Sequence, residues 1–223
     1  MTVPTREVRI PIDAGTLQGD LFLPDGSHAL VVFVNGRGTG RHSVDDRTVA
    51  TQLHRAGIAS LAVDLLTAHE QQSTARASRH AGDPALLTHR LLEVVQWVGG
   101  DASLKRAALG LCGVADGGVA AMIAAARLGG VVQAVVSVGG RPDAAGPAVL
   151  TAIKAPTLLL VGSRDTENLA RNDSAYQHLR GERSLAVVPG GGPLLEEHGV
   201  LAHAGEMAAA WFEFHLSAVE AFA

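Results

Sequence analysis

The chain has 223 residues, of which 47% are hydrophobic and 18% charged, and its formal net charge is −4. That length supports one sizeable buried core without disulfide or metal support, and the lack of any long block of like charge argues against a nucleic-acid scaffold. One cysteine, Cys112, excludes an intramolecular disulfide and any multi-cysteine metal site.

Arg6 to Ile12 alternates apolar and polar residues and predicts a strand. Asp13-Ala14-Gly15 turns the chain, and Leu17 to Leu23 alternates again, so the two segments form an antiparallel hairpin. Ala29 to Val34 is a continuous apolar run, the pattern of a strand covered on both faces. Ser43 is placed to N-cap a helix from Val44 to Ala56, which Gly57 closes. Ile58 to Val63 is a further buried strand and ends at Asp64.

Leu65 to Gly82 is polar and weakly patterned, as a lid or a loop with a short helix. Pro84 to Trp97 has helical spacing through Leu87, Leu91 and Val94. Ala107 to Cys112 then reads as a strand, Val114 to Leu128 as a helix of small residues and Val131 to Val138 as a strand. The last third predicts strands at Thr157 to Val161 and Ser184 to Val188, and helices at Asp165 to Leu179 and Leu201 to Ala218. Strands alternating with helices imply an α/β fold with a mainly parallel sheet and helices on both faces, the opening hairpin lying at one edge. No repeat or linker interrupts the pattern, so residues 1–223 read as a single domain.

No apolar run reaches the roughly 18 residues of a membrane helix. Residues 1–6 carry no apolar leader. A cytoplasmic protein with no membrane and no nucleic-acid partner is the expectation. The histidines show no metal-ligand spacing, so neither a metal nor another cofactor is expected.

In a sheet of this kind ligands bind at the carboxyl ends of the strands. The sharpest feature there is Gly110-Leu111-Cys112-Gly113-Val114-Ala115-Asp116-Gly117-Gly118. Gly113 and Gly117 stand two residues before and two after Ala115, the small-residue spacing of a strained strand-to-helix turn.

With this turn the chain resembles the α/β-hydrolase superfamily, and within it the dienelactone-hydrolase-like group. The resemblance extends over the hairpin, Asn35-Gly36-Arg37-Gly38 with Arg41-His42-Ser43, the Gly139-Gly140-Arg141-Pro142-Asp143 turn, and Ala155-Pro156-Thr157 leading to Gly162-Ser163-Arg164-Asp165. It implies an α/β-hydrolase fold without a large cap domain. It also locates a catalytic triad and the places where this chain departs from it. The centre of the turn, Ser or Cys in the family, is Ala115. The loop after the last strand reads Pro189-Gly190-Gly191-Gly192-Pro193, with Pro193 at the position of the family's His. The acid position keeps Asp165. Loss of both nucleophile and base costs such a hydrolase roughly 10⁶ in rate, so hydrolysis through an acyl-enzyme is not expected.

The family's oxyanion hole is backbone, and here its donors would be the N–H groups of Asp116 and of Arg37 in the Asn35-Gly36-Arg37 loop. The expected anion pocket is therefore Asn35, Gly36, Arg37 and Asp116. Asp165, Asp116, Asp64 and His198 are the candidate proton carriers. Each has an alternative reading: Asp165 as the cap of the next helix, Asp116 as a residue at a helix N-terminus, and His198 as a surface residue. Arg37 either binds an anion or faces solvent. Cys112 reads as a small buried hydrophobe. Three functions are consistent with these residues. One is a small-molecule enzyme of lyase, isomerase or cyclase type that reuses the oxyanion pocket for a carbonyl- or carboxylate-bearing substrate. Another is a non-catalytic binding pseudoenzyme. The third is a residual hydrolase in which a carboxylate or displaced His activates water.

Overall fold

The computed structural model describes residues 5–35, 40–72, 80, 82–193 and 195–217. The chain opens with strands β1 (Arg6–Ile12) and β2 (Gly15–Phe22), antiparallel, with Ile12 opposite Gly15 at the turn. Strand β3 (Ala29–Asn35), helix α1 (Val44–Arg55), strand β4 (Ala59–Val63) and the short helix α2 (Ala68–Gln71) follow. Next come α3 (Pro84–Gly100), β5 (Ala108–Val114), α4 (Gly117–Leu128), β6 (Val132–Val138) and α5 (Pro147–Ala152). The last elements are β7 (Thr157–Gly162), α6 (Thr166–His178), β8 (Arg183–Val188) and α7 (Val200–His215).

All eight strands form one sheet in the order β1-β2-β4-β3-β5-β6-β7-β8. β2 pairs antiparallel with β4, and from β4 to β8 every pair is parallel. The unbroken apolar run of β3 follows from its central place. Leu30, Val32 and Val34 face a core shared with Leu91 and Val94 of α3 and Met122 of α4. Val31 and Phe33 face the opposite core, with Val49 and Leu53 of α1 and Phe212 of α7. A strand buried on both faces has no polar alternation to show. On the α7 side a Cβ built on Gly110 would lie 2.6 Å from Phe212 Cε1, so the missing side chain makes room for the ring.

Local signals behave as the residue types dictate. Ser43 caps α1 by accepting from the Asp45 and Asp46 N–H groups. Gly57, with φ +72°, closes the helix where any other residue would be strained. The chain departs from the sequence expectation at the end of β5. The strand runs on to Val114, and the helix begins at Gly117 rather than Val114, because Ala115 between them adopts a left-handed conformation that neither element allows. Helix α5 was not expected; six residues opening on Pro147 are too few to show a helical period. Among the described residues no helix is long and apolar enough to cross a membrane.

Candidate active site

The turn after β5 forms at the carboxyl edge of the sheet. Ala115 has φ +48°, one of two non-glycine residues with positive φ among those described. Such a conformation costs about 1–3 kcal/mol and persists where its surroundings over-determine it. The surroundings here are tight. A Cβ on Gly113 would lie 2.5 Å from the Gly118 Cα and 2.8 Å from its nitrogen, so only glycine lets β5 and α4 approach this closely. The Ala115 N–H donates to the Val138 carbonyl at 3.0 Å, and the Ala115 carbonyl accepts from the Gly118 N–H at 3.1 Å. Ala115 and Asp116 are exposed above this frame, while the first turn of α4 beneath them is buried. The positive end of the α4 dipole therefore lies at Ala115.

A second segment, Gly139-Gly140, supports the turn from the next strand. A Cβ on Gly140 would be 3.0 Å from the Ala115 carbonyl oxygen, and one on Gly139 would be 3.5 Å from the Pro193 carbonyl oxygen. The same two glycines are held by α6. Asn168 Nδ2 donates to the Gly139 carbonyl at 3.4 Å, and Asn172 Nδ2 to the Gly140 carbonyl at 3.0 Å. Asp165 starts that helix, its carboxylate accepting from the Asn168 N–H at 3.1 Å. Ala115, Pro193 and the helix headed by Asp165 thus converge on one two-residue turn. Asn168 and Asn172 were not singled out in the sequence. Their spacing of four marks one helical face, but their partners lie 29 and 32 residues away.

The loop after β8 is folded down on β7. A Cβ on Gly162 would collide with the Gly191 carbonyl oxygen, which accepts from the Arg164 N–H at 2.8 Å. Glu197 Oε2 accepts from the Gly192 N–H at 3.0 Å while Oε1 pairs with Arg164. These contacts, the Gly192 N–H first, hold the Glu197 carboxyl below the usual range. Pro193 is exposed at the tip. Leu195, with φ +54°, turns back and is 1% exposed.

The remaining candidates are spread around this centre. Asp64, just past β4, accepts from the Arg41 N–H at 2.7 Å and lies 3.4 Å from its Nη1. Arg41 also reaches Asp20 and Glu7, each at 3.3 Å, so Asp64 anchors the segment leading into α1. His198 is exposed in the turn before α7. Asn35 closes β3, and its side chain, with Gly36 and Arg37, lies outside the described residues. Cys112 is fully buried on β5, where burial first and the Asp46 charge second push its thiol pKa far above the ordinary range. The arrangement presents a strained turn and a helix N-terminus beside the Ala115 methyl group, with the Asp116 carboxylate next in the chain; the helix N-terminus favours negative charge there.

Comparison with known proteins identifies the family and the fold. The model of the dienelactone hydrolase family matches residues 17–184. A dienelactone hydrolase from Anabaena variabilis is 37% identical, superposes with a TM-score of 0.92, and the match covers 96% of this chain and 98% of that one. Est1E from Butyrivibrio proteoclasticus shares the fold at 14% identity, with a TM-score of 0.76 over 94% of this chain and 98% of its own. A Mycobacterium tuberculosis H37Rv protein named "Putative phosphoribosyl transferase" is 40% identical over 215 residues, 96% of this chain. Those residues are 47% of the relative, so the chain spans about half the length of the curated proteins it matches.

Proposed function

The chain belongs to the dienelactone hydrolase family, and from that premise we propose that its pocket acts on a small carbonyl- or carboxylate-bearing molecule without a covalent intermediate. The observation that carries this reading is the strained turn at Ala115. Strain of about 1–3 kcal/mol at a non-glycine residue is expected where it serves a site, and alanine offers no nucleophilic atom. What the turn still presents is backbone. The Asp116 N–H would be one donor of the family's oxyanion pair, the second being expected from Arg37, which lies outside the described residues, and the α4 N-terminus adds its dipole. Such a pocket lowers the energy of an enolate or of a carbonyl oxygen gaining charge. Enolisation, ring closure onto an unsaturated carbonyl and dehydration beside a carbonyl each need that pocket and one proton carrier, and none needs a nucleophilic side chain.

We assign the proton transfer to Asp116. Asp116 is next to Ala115 and exposed. Arg37 would supply the full charge that selects an anionic substrate. The phosphoribosyl transferase name belongs to proteins twice as long; we attribute that activity to the part this chain does not span and do not carry it over.

Titration calorimetry against small carboxylates and phenolates tests the reading. Binding that Arg37→Ala weakens by about tenfold or more supports it. No binding across the panel overturns it in favour of a non-catalytic protein. Labelling of the wild-type chain by a serine-directed phosphonate overturns it in favour of residual hydrolysis.

A further inference from the structure

The tip of the β1–β2 hairpin and the middle of α3 meet far from Ala115 in the chain. Asp13, His89 and Glu93 each offer one ligand atom there, and the three atoms lie within 4.8 Å of one another. His89 and Glu93 are four residues apart on α3, so they share a face, and His89 Nε2 stands 3.7 Å from Glu93 Oε2. A tetrahedral centre with bonds of about 2.1 Å spaces its ligand atoms about 3.4 Å apart, so this pair needs little movement. The third residue comes from the turn and also orients the second: the Asp13 N–H donates to Glu93 Oε1 at 2.7 Å. That bond leaves Oε2 facing His89. Oε2 is buried and has no hydrogen-bond partner among the described residues, an arrangement that a bound cation would satisfy.

The cluster opens into a cleft of about 1040 Å³ between the hairpin and α3. Among the described residues the charged ones lining it are Asp13, His89, Glu93 and Asp101, with no lysine or arginine, and Trp97 forms part of the wall. Asp101 is turned toward Ser103, whose N–H and hydroxyl donate to its Oδ1. Among the described residues, Arg90 lies within ion-pair range of Glu93. Its Nη1 is 3.8 Å from Glu93 Oε2, while its Nη2 is bonded to Glu70 at 3.2 Å. A neighbouring guanidinium weakens a metal site without abolishing it.

We propose that Asp13, His89 and Glu93 form a binding site for a divalent metal of the zinc class, one nitrogen and two carboxylate ligands with the remaining coordination open to the cleft. The metal bridges the hairpin turn and α3, so it clamps the antiparallel edge of the sheet onto that helix. The sequence pattern alone predicts no metal. The His89–Glu93 spacing is visible there, but the third ligand arrives only through packing of the β1–β2 turn on α3.

The test uses untagged protein stripped with a chelator. Zn²⁺ titration and Co²⁺ absorption should give one ion per chain with a dissociation constant of about 10 µM or tighter, and Zn²⁺ should raise the thermal midpoint. Asp13→Asn, His89→Ala and Glu93→Gln should each weaken binding about tenfold or more and remove the thermal shift. The change at Asp13 keeps the backbone N–H, and the change at Glu93 keeps an acceptor for it, so both variants retain the turn. His203→Ala, at the exposed His203–Glu206 pair, should change nothing. No binding at about 1 mM metal, or binding that the three variants leave unchanged and that is therefore an adventitious ion only, would overturn the proposal.

Discussion

Asn172 Nδ2 donates to the Gly140 carbonyl at 3.0 Å, and that bond ties α6 to the turn on which Ala115 rests. Asn172 is fully buried. Removing its amide leaves a carbonyl without its donor in a low-dielectric interior, where the penalty is about 1–3 kcal/mol. Asn172→Leu should lower the stability by that amount in urea unfolding. It should also weaken binding of any ligand at the Ala115 turn. Unchanged stability would show that Gly139-Gly140 needs no support from α6.

Gly113 is the second point at which the turn is held. A methyl group there would sit 2.5 Å from the Gly118 Cα, a backbone atom that cannot swing away. Gly113→Ala should destabilise the chain by about 2 kcal/mol or more, because a clash with backbone is relieved only by separating β5 from α4. A variant as stable as wild type in urea would mean that the turn is looser than its geometry implies.

Ala115→Ser should place a hydroxyl at the exposed centre of the turn and yield almost no ester hydrolysis, since no base stands behind it. Adding Pro193→His supplies an imidazole on the loop that meets Gly139, with Asp165 available to orient it. The double variant should hydrolyse p-nitrophenyl acetate measurably, about 10²-fold or more above the single variant. A folded double variant no faster than Ala115→Ser would show that position 193 does not face position 115.

His54 stacks on Phe22, ring centroids 3.6 Å apart, and its Nε2 is 2.7 Å from the Ser60 hydroxyl. Burial lowers its pKa from 6.5 to about 4. The unfolded chain therefore binds a proton near pH 6.5 that the folded chain takes only near pH 4. The stabilisation is full above the unfolded value and is lost as pH falls through that window. Allowing for the partial exposure of the ring, the loss is about 1 kcal/mol. His54→Gln should flatten this part of the stability profile, measured by urea unfolding at pH 7 and pH 5. An unaltered slope would place the proton uptake elsewhere.

Cys112 has no exposed surface, and burial holds it as the thiol at any ordinary pH. Ellman's reagent should not react with the native chain over hours at pH 8 and should titrate one thiol after unfolding in guanidinium. Rapid reaction of the native protein would show that β5 opens.

The order of strands and helices was legible in the sequence, because the period of apolar residues and the positions of Ser43, Gly57 and Pro84 depend on neighbours close in the chain. The centre of the turn was legible for the same reason: Gly113, Ala115 and Gly117 lie within five residues. The left-handed backbone of Ala115 was not, and neither was the later start of α4 that follows from it. The small-residue spacing permits such a turn without compelling it; contact of Gly113 with Gly118 and the bond from Ala115 to Val138 decide it.

Charge placement was less legible still. In sequence Asp64, Asp116, Asp165 and His198 were all candidate proton carriers, and local pattern could not rank them. The sequence already offered Asp165 as the cap of the next helix, and the fold makes it so; only the folded chain puts Arg41 against Asp64 and sets Asp116 at the exposed turn beside Ala115. Side-chain pairing across 20 to 80 residues depends on how the sheet folds, and local pattern carries no record of it. Short-range periodicity therefore determined the fold of this protein and its helix caps, and long-range packing decided which of its polar residues stand at the turn and which serve as anchors.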